Sequence, residues 1–230
     1  MNGIDQVREL ARDNAIVYAP CHRSHIDYLL MSYLLYHNGL NVPHIAAGEN
    51  INMPVVGILL RRCGAFYIRR RFGGDKIYTA VFHEYLHAVF TSGFPVEYFV
   101  EGGRSRTGRM LKPATGILSM TVTSHLRDNK KPIVIIPVYI GYEKIFEASS
   151  YTNELKGKEK KKENLFDLAK TVQKLNNNGE VSVNFGEAIH LNDMLDVHQP
   201  TWRETKYKLY DKPEWLASFV AKLSFELAAR

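Results

Sequence analysis

Short apolar runs and helix-length stretches take turns along most of the chain, and this alternation constrains the fold more than any other property of the sequence. Strand-like runs near residues 15–20, 42–47, 64–69, 95–100, 132–139 and 181–186 alternate with helix-like stretches near 27–37, 53–62, 76–91, 114–127 and 163–176. Strands separated by helices pair in parallel, and a parallel sheet has to be covered on both sides. The expectation is an α/β fold with a largely parallel central sheet flanked by helices on both faces. With 230 residues, 45% of them hydrophobic, the chain can bury a substantial core, which suits one domain over residues 1–230. After Pro213, the positions Leu216, Phe219, Val220, Leu223 and Leu227 keep helical spacing and predict an amphipathic C-terminal helix within 213–230.

Two polar motifs fall just beyond strand-like runs, where open α/β sheets place their ligands. The first is His22-Arg-Ser-His-Ile-Asp27. Were residues 22–27 all helical, His22 and Asp27 would stand roughly 140° apart around the axis. If His22 instead precedes the first turn, its ring can fold back towards Asp27, and a His–Asp dyad becomes feasible. Such an aspartate fixes the imidazole tautomer and leaves the other nitrogen to take a proton from a hydroxyl. The plain alternative is a structural histidine at a helix start. His25 is a competing base, although it lies only two residues from Asp27. A metal site made of His22, His25 and Asp27 has weak support, because two ligating histidines on a helix usually stand four residues apart. No metal or cofactor is expected.

The second motif is Glu101-Gly-Gly-Arg-Ser-Arg-Thr107. Gly102 and Gly103 let backbone amides converge on an anion, and Arg104 and Arg106 add forked donors that suit a phosphate. A solvated basic turn is the plain alternative, yet two glycines and Glu101 behind a buried strand favour a binding role. A third basic group, Arg69, Arg70 and Arg71, ends another apolar strand. Alternation sends Arg69 and Arg70 to opposite sides, so one of them can face the same anion.

In order and spacing these blocks resemble those of the glycerolipid acyltransferases, over roughly residues 15–205. The H-x4-D block of that family is matched by His22 and Asp27, and its G-x-F-x-I-R-R block by Gly64, Phe66, Ile68, Arg69 and Arg70. Its E-G-G/T-R-S-R block is matched by Glu101, Gly102, Gly103, Arg104, Ser105 and Arg106, and its proline-bearing strand by Ile136, Pro137, Val138 and Tyr139. Gly103 looks more like the glycerol-3-phosphate branch than the lysophosphatidate branch, where threonine is usual. The resemblance implies that His22, oriented by Asp27, takes the proton of the 1-hydroxyl of sn-glycerol 3-phosphate, which attacks an acyl thioester. It further implies that Arg70, Arg104 and Arg106 hold the phosphate, that Glu101 and Ser105 fix the glycerol backbone, and that Pro137 shapes the thioester side. The donor would be acyl-CoA or acyl carrier protein. The enzyme would sit peripherally on an anionic membrane surface, at the cytoplasmic face of the inner membrane. Members of this family are longer on both sides, so the chain reads as a fragment or a minimal homologue. Dihydroxyacetone phosphate or lysophosphatidate as acceptor, and a non-catalytic anion- or lipid-binding module, are the alternatives.

Composition is consistent with these partners. Thirty basic against 24 acidic residues leave a formal charge of +6, which suits acidic ligands and surfaces. Nucleic acid is not expected, since zinc-finger spacing, an RNP-type motif and a helix-turn-helix pattern are all missing. No stretch reaches the ~18 apolar residues of a membrane-spanning helix. The run at 55–60, followed by Arg61 and Arg62, can line an acyl groove, dip into a lipid interface or simply be core helix, and the lysine-rich run at 156–162 reads as a solvated loop. Cys21 should face away from His22 in extended backbone, and with Cys63 it reads as a reduced thiol rather than half of a disulfide.

Overall fold

Residues 15–20 are apolar throughout, and as β1 (Ala15–Pro20) they are buried at every position, as a strand covered on both sides must be. This strand lies inside a seven-stranded sheet in the computed structural model, which describes residues 3–49, 52, 54, 56–69, 74–128, 130–145, 179–209 and 211–230. Arg70, the helix expected over 163–176 and the lysine-rich run at 156–162 lie outside the described residues.

Among the described residues, in chain order, the other elements are α1 (Ile4–Asp13), α2 (Asp27–His37), β2 (His44–Gly48), α3 (Val56–Arg62), β3 (Ala65–Ile68), α4 (Lys76–Thr91), β4 (Val96–Glu97), α5 (Thr115–Arg127), β5 (Ile133–Tyr142), β6 (Val181–Phe185), β7 (Ile189–His190), α6 (Leu191–His198), a 3-10 turn (Trp202–Glu204) and α7 (Leu216–Ala229). The strand order is β3-β2-β4-β1-β5-β6, with β7 also on β5. Pairing is parallel from β3 to β5, while β6 and β7 run antiparallel along the outer side of β5. The sheet is therefore largely parallel, as expected, with an antiparallel edge.

Alternation along β1 divides the core into two layers. Ala15, Val17 and Ala19 face a cluster with Phe82 and Leu86 of α4, Leu118 and Val122 of α5, Leu195 of α6 and Leu223 of α7. Ile16 and Tyr18 face the other cluster, with Val7 of α1 and Met31 and Leu35 of α2. Both faces carry helices. Helix α7 buries Leu216, Phe219, Val220, Leu223 and Leu227, the five positions set apart by their spacing. Helix α4 starts where the Asp75 side chain accepts from the Tyr78 amide at 2.9 Å, an N-cap that satisfies one orphan donor.

Strand β4 is shorter than the apolar run 95–100 suggests. The Tyr98 amide still donates to the Tyr18 carbonyl, but the Gly102 amide then turns back to the Phe99 carbonyl and the chain leaves the sheet. Pro137, inside β5, lies where its antiparallel partner is interrupted. Strand β6 ends opposite Val138 and β7 begins opposite Ile135, so the missing proline N–H breaks no ladder bond. Its carbonyl accepts from the Gly186 amide at 2.8 Å in the gap.

One buried group departs from the apolar pattern. Glu97 sits in register with Tyr18, has no exposed surface, and neither of its carboxyl oxygens has a hydrogen-bond partner. Burial, and then the charge of Asp27, push its carboxyl well above the usual carboxylate range. The folded protein thus keeps a proton that the unfolded chain releases near the ordinary value of 4.5. Stability should fall as pH rises from there towards the folded value, by up to about 1.4 kcal/mol per pH unit. Glu97→Gln cannot ionise. Thermal melts should show the variant matching the parent near pH 4 and melting several degrees higher at pH 8; parallel profiles would place Glu97 in an environment that accepts its charge.

Candidate active site

Strand β4 inserts between β2 and β1, and this insertion brings the two polar motifs together. Because Val17 and Tyr18 pair in parallel with Val96 and Glu97, the turn after β1 and the loop after β4 leave the same edge of the sheet side by side. They are fastened by backbone bonds. The His22 amide donates to Glu101 Oε1 at 3.0 Å, and the Ser105 amide donates to the His22 carbonyl at 2.9 Å. Glu101 Oε2 accepts from the Leu111 amide at 2.7 Å, so one nearly buried carboxylate spans the turn and both ends of the loop. Ser105 is buried and its hydroxyl bonds the Arg109 carbonyl, which also accepts from Arg23 at 3.2 Å. Gly102 has φ +62°, and a Cβ there would stand 3.0 Å from that of Ala114, so the bend requires glycine on both counts.

The turn itself is organised around Asp27, which has no exposed surface. Its Oδ2 accepts from the amides of Arg23 (2.7 Å) and Ser24 (2.9 Å) and meets His22 Nδ1 at 2.8 Å. The Tyr142 hydroxyl donates to Oδ1 at 2.6 Å. Amides only donate, so Oδ2 is an acceptor and the proton between the two side chains belongs to Nδ1. His22 Nε2 is then the bare, basic nitrogen. His22 is non-helical, as the dyad geometry requires, and its ring stacks on Phe99 with centroids 3.8 Å apart. Burial lowers the imidazole below its ordinary value; Asp27 opposes this, while Arg104 and His25 add to it. The ring is therefore neutral at neutral pH.

His22 lines a cavity of about 1620 Å³ at the carboxyl edge of the sheet. Its polar wall includes His25, Gly102, Gly103, Arg104 and Arg106, with Arg62 and Arg69 also lining it. Much of the rest is apolar, from Leu29 and Tyr33 of α2 through Ile68 to Phe82 and Met120. Arg69 ion-pairs with Asp75 at 3.1 Å and lies over the Tyr78 ring at 4.5 Å, so it is held at this wall. Glu101, Ser105 and Pro137 do not line the cavity. The first two fasten the loop, and Pro137 is buried in β5 against Gly186. Cys21 turns away from His22 to the β5 backbone, where its sulfur accepts from the Ile140 amide at 3.2 Å. The residue that sequence reasoning missed is Tyr142. It lies far from Asp27 in the chain, and only the strand order reveals their contact.

A neutral imidazole with its tautomer fixed, opening on an arginine-bearing apolar cavity at the edge of a parallel sheet, defines an α/β protein suited to a ligand both anionic and greasy. The chain belongs to the acyltransferase family, whose model, described as Acyltransferase, matches residues 2–141. A second model, described as Glycerol-3-phosphate acyltransferase C-terminal region, matches residues 151–230. The chain is 57% identical over 229 residues to a glycerol-3-phosphate acyltransferase of Pseudomonas aeruginosa and 58% identical over 226 residues to that of Pseudomonas syringae pv. tomato. These alignments cover 99% and 98% of this chain but only 28% and 27% of the relatives, so the chain spans little more than a quarter of their length. Among solved structures, the 1-acyl-sn-glycerophosphate acyltransferase of Thermotoga maritima is similar with a TM-score of 0.43 and 16% identity, over 100% of this chain and 85% of that one.

The Glu101 fastening is testable. A glutamine there keeps one acceptor oxygen and turns the other into a donor that cannot serve an amide. Glu101→Gln should therefore release either the His22 or the Leu111 amide, with hydrogen exchange at that site faster by about ten-fold. Unchanged exchange at both amides would show that the carboxylate does not hold the loop.

Proposed function

We propose that the chain carries the acyl-transfer chemistry of a glycerol-3-phosphate 1-O-acyltransferase. The observation that supports this most directly is the shared cavity: a neutral imidazole with its Nδ1 committed to Asp27 lines the same apolar space as Arg104 and Arg106. In this mechanism the two arginines, together with Arg70, bind the phosphate of sn-glycerol 3-phosphate and bring its 1-hydroxyl to His22 Nε2. Nε2 takes the hydroxyl proton as the oxygen attacks the thioester carbonyl carbon. The tetrahedral intermediate then expels the thiolate, the imidazolium returns the proton to sulfur, and 1-acyl-glycerol 3-phosphate and free thiol leave. Asp27 stabilises the imidazolium formed in between. Positioning and a general base suffice without an acyl-enzyme, the base alone contributing roughly 10²–10⁴-fold. Glu101 and Ser105 act by holding the cradle in shape. The donor is acyl-CoA or acyl carrier protein, which present the same thioester.

Among the described residues, no helix is long and apolar enough to cross a membrane. The same proposal seats the protein peripherally on an anionic lipid surface at the cytoplasmic face. Leu29, Tyr33 and Tyr36 are exposed on the cavity-lining side of α2, and Ile58 and Leu59 are exposed next to Arg61 and Arg62 on α3. Tyr36→Ser with Leu59→Ser should lower sedimentation with anionic vesicles; equal sedimentation would remove this face from the contact.

Turnover is read by thiol release from palmitoyl-CoA or from acyl carrier protein, with and without sn-glycerol 3-phosphate, and the lipid product is identified. His22→Ala should lose acceptor-dependent release by at least about 10²-fold. Because His22 is held below its ordinary value of 6.5, activity should persist below that pH and decline only on the acid side of it. Arg104→Ala should mainly raise the acceptor KM, and an unchanged kcat/KM would place Arg104 outside the phosphate site. Preferential acylation of dihydroxyacetone phosphate or lysophosphatidate in competition would replace the acceptor, and undiminished turnover in His22→Ala would remove the base.

A further inference from the structure

Strand β5 outruns β1 at the carboxyl edge. Its residues 133–138 pair with β1, whereas among the described strands 139–142 pair with β6 alone, ending at the Tyr142–Val181 pair. The antiparallel edge thus carries Tyr142 beyond the parallel sheet to Asp27, where the hydroxyl bond to Oδ1 measures 2.6 Å. The donors of the 22–27 turn all fall on the other oxygen, Oδ2. Rotation of a carboxylate about its terminal bond is soft, and donors gathered on one oxygen control it poorly. A donor on the far oxygen fixes the plane.

We propose that Tyr142 is a positioning residue for the reaction above: its hydroxyl locks the Asp27 carboxylate so that Oδ2 stays aligned with His22 Nδ1 and Nε2 stays bare. The inference rests on the acyl-transfer proposal for its catalytic consequence, but its effect on the imidazole can be read without turnover. Asp27 is fully buried, so water cannot readily replace the lost bond. Tyr142 is half-buried and comes from a strand rather than from the loop that carries the arginines.

The test is Tyr142→Phe, which keeps the ring and removes the hydroxyl, with the His22 ring followed by nitrogen–proton NMR across pH in the whole 230-residue chain. Freed of its lock, the carboxylate swings Oδ2 out of line with Nδ1 and supports the imidazolium less, so the His22 midpoint should move down. The other groups facing this pair stay as they are: Arg104 and Glu101 from the loop after β4, Glu97 from β4, Cys21 at the end of β1, and Arg23 and His25 in the turn. Turnover number should fall roughly ten-fold with the acceptor KM within about two-fold, and the acid limb of the rate profile should move with the NMR midpoint. In an Asp27→Asn background the second substitution should add nothing to the midpoint, as expected of groups acting in series. Site-specific 3-fluorotyrosine at position 142, a stronger donor of nearly the same size, should move the midpoint the opposite way. An unmoved midpoint in both Tyr142→Phe and the fluorinated protein, or the same shift with and without Asp27, would overturn the proposal. If no form of the protein acylates sn-glycerol 3-phosphate, the acyl-transfer proposal fails while the NMR midpoints still decide what Tyr142 does to the pair.

Discussion

A carboxylate sealed from water has to be given donors, and Asp27 draws them from two parts of the chain. Two come from the backbone of Arg23 and Ser24, one from the His22 ring and one from Tyr142 at the end of β5. Leaving any of them unmade would expose a buried charge to a penalty of several kcal/mol. The turn after β1 therefore has little freedom: it must aim two successive amides at Oδ2, which holds His22 out of the helix and lets α2 begin at Asp27. The bond network that makes the turn stable is also the one that settles which imidazole nitrogen carries a proton. Stability and chemical competence share a cause here.

The sheet supplies what local geometry lacks. His22 and Glu101 are remote in sequence, and they meet because the chain, after running out to β3, returns to place β4 next to β1. Five parallel strands send their carboxyl ends to one edge, and the loops gathered there enclose the cavity. Helices pack on both faces of the sheet behind that edge. The antiparallel strands β6 and β7 have a different task. Strand β7 pairs with β5 at Val134 and Ile135, and β6 extends the support of β5 past the point where its parallel neighbour ends.

Much of this was legible in the residues. The apolar run of β1 and the spans of α2 and α4 are set by local pattern, and the structure gives them the bounds that the pattern suggests. Helix α1 lies before the first strand-like run, and its Ile4, Val7, Leu10 and Ala11 pack on one side at helical spacing. Strand β7 and helix α6 are short, two and eight residues, and too brief for periodicity to announce. At the site, the spacing of His22 and Asp27 leaves two geometries open, and the local amides of Arg23 and Ser24 on Oδ2 select the non-helical one only in the folded turn. Partners distant in sequence add to this, Tyr142 for the carboxylate and Glu101 for the His22 amide. Motif company points Glu101 and Ser105 at a ligand, whereas in the structure their polar atoms bond backbone groups of the loop and of the turn after β1. A motif records that residues belong together; which way each one faces is a property of the folded loop.

The double grip of Glu101 has a consequence for how such a site can change. One of its oxygens holds the backbone of the base and the other holds the far end of the arginine loop. Any substitution that reshapes the loop pulls on the same carboxylate that seats His22. Both grips are on backbone amides, so no side-chain replacement at the loop's far end can restore one that is lost, and the loop and the turn after β1 shift as one body.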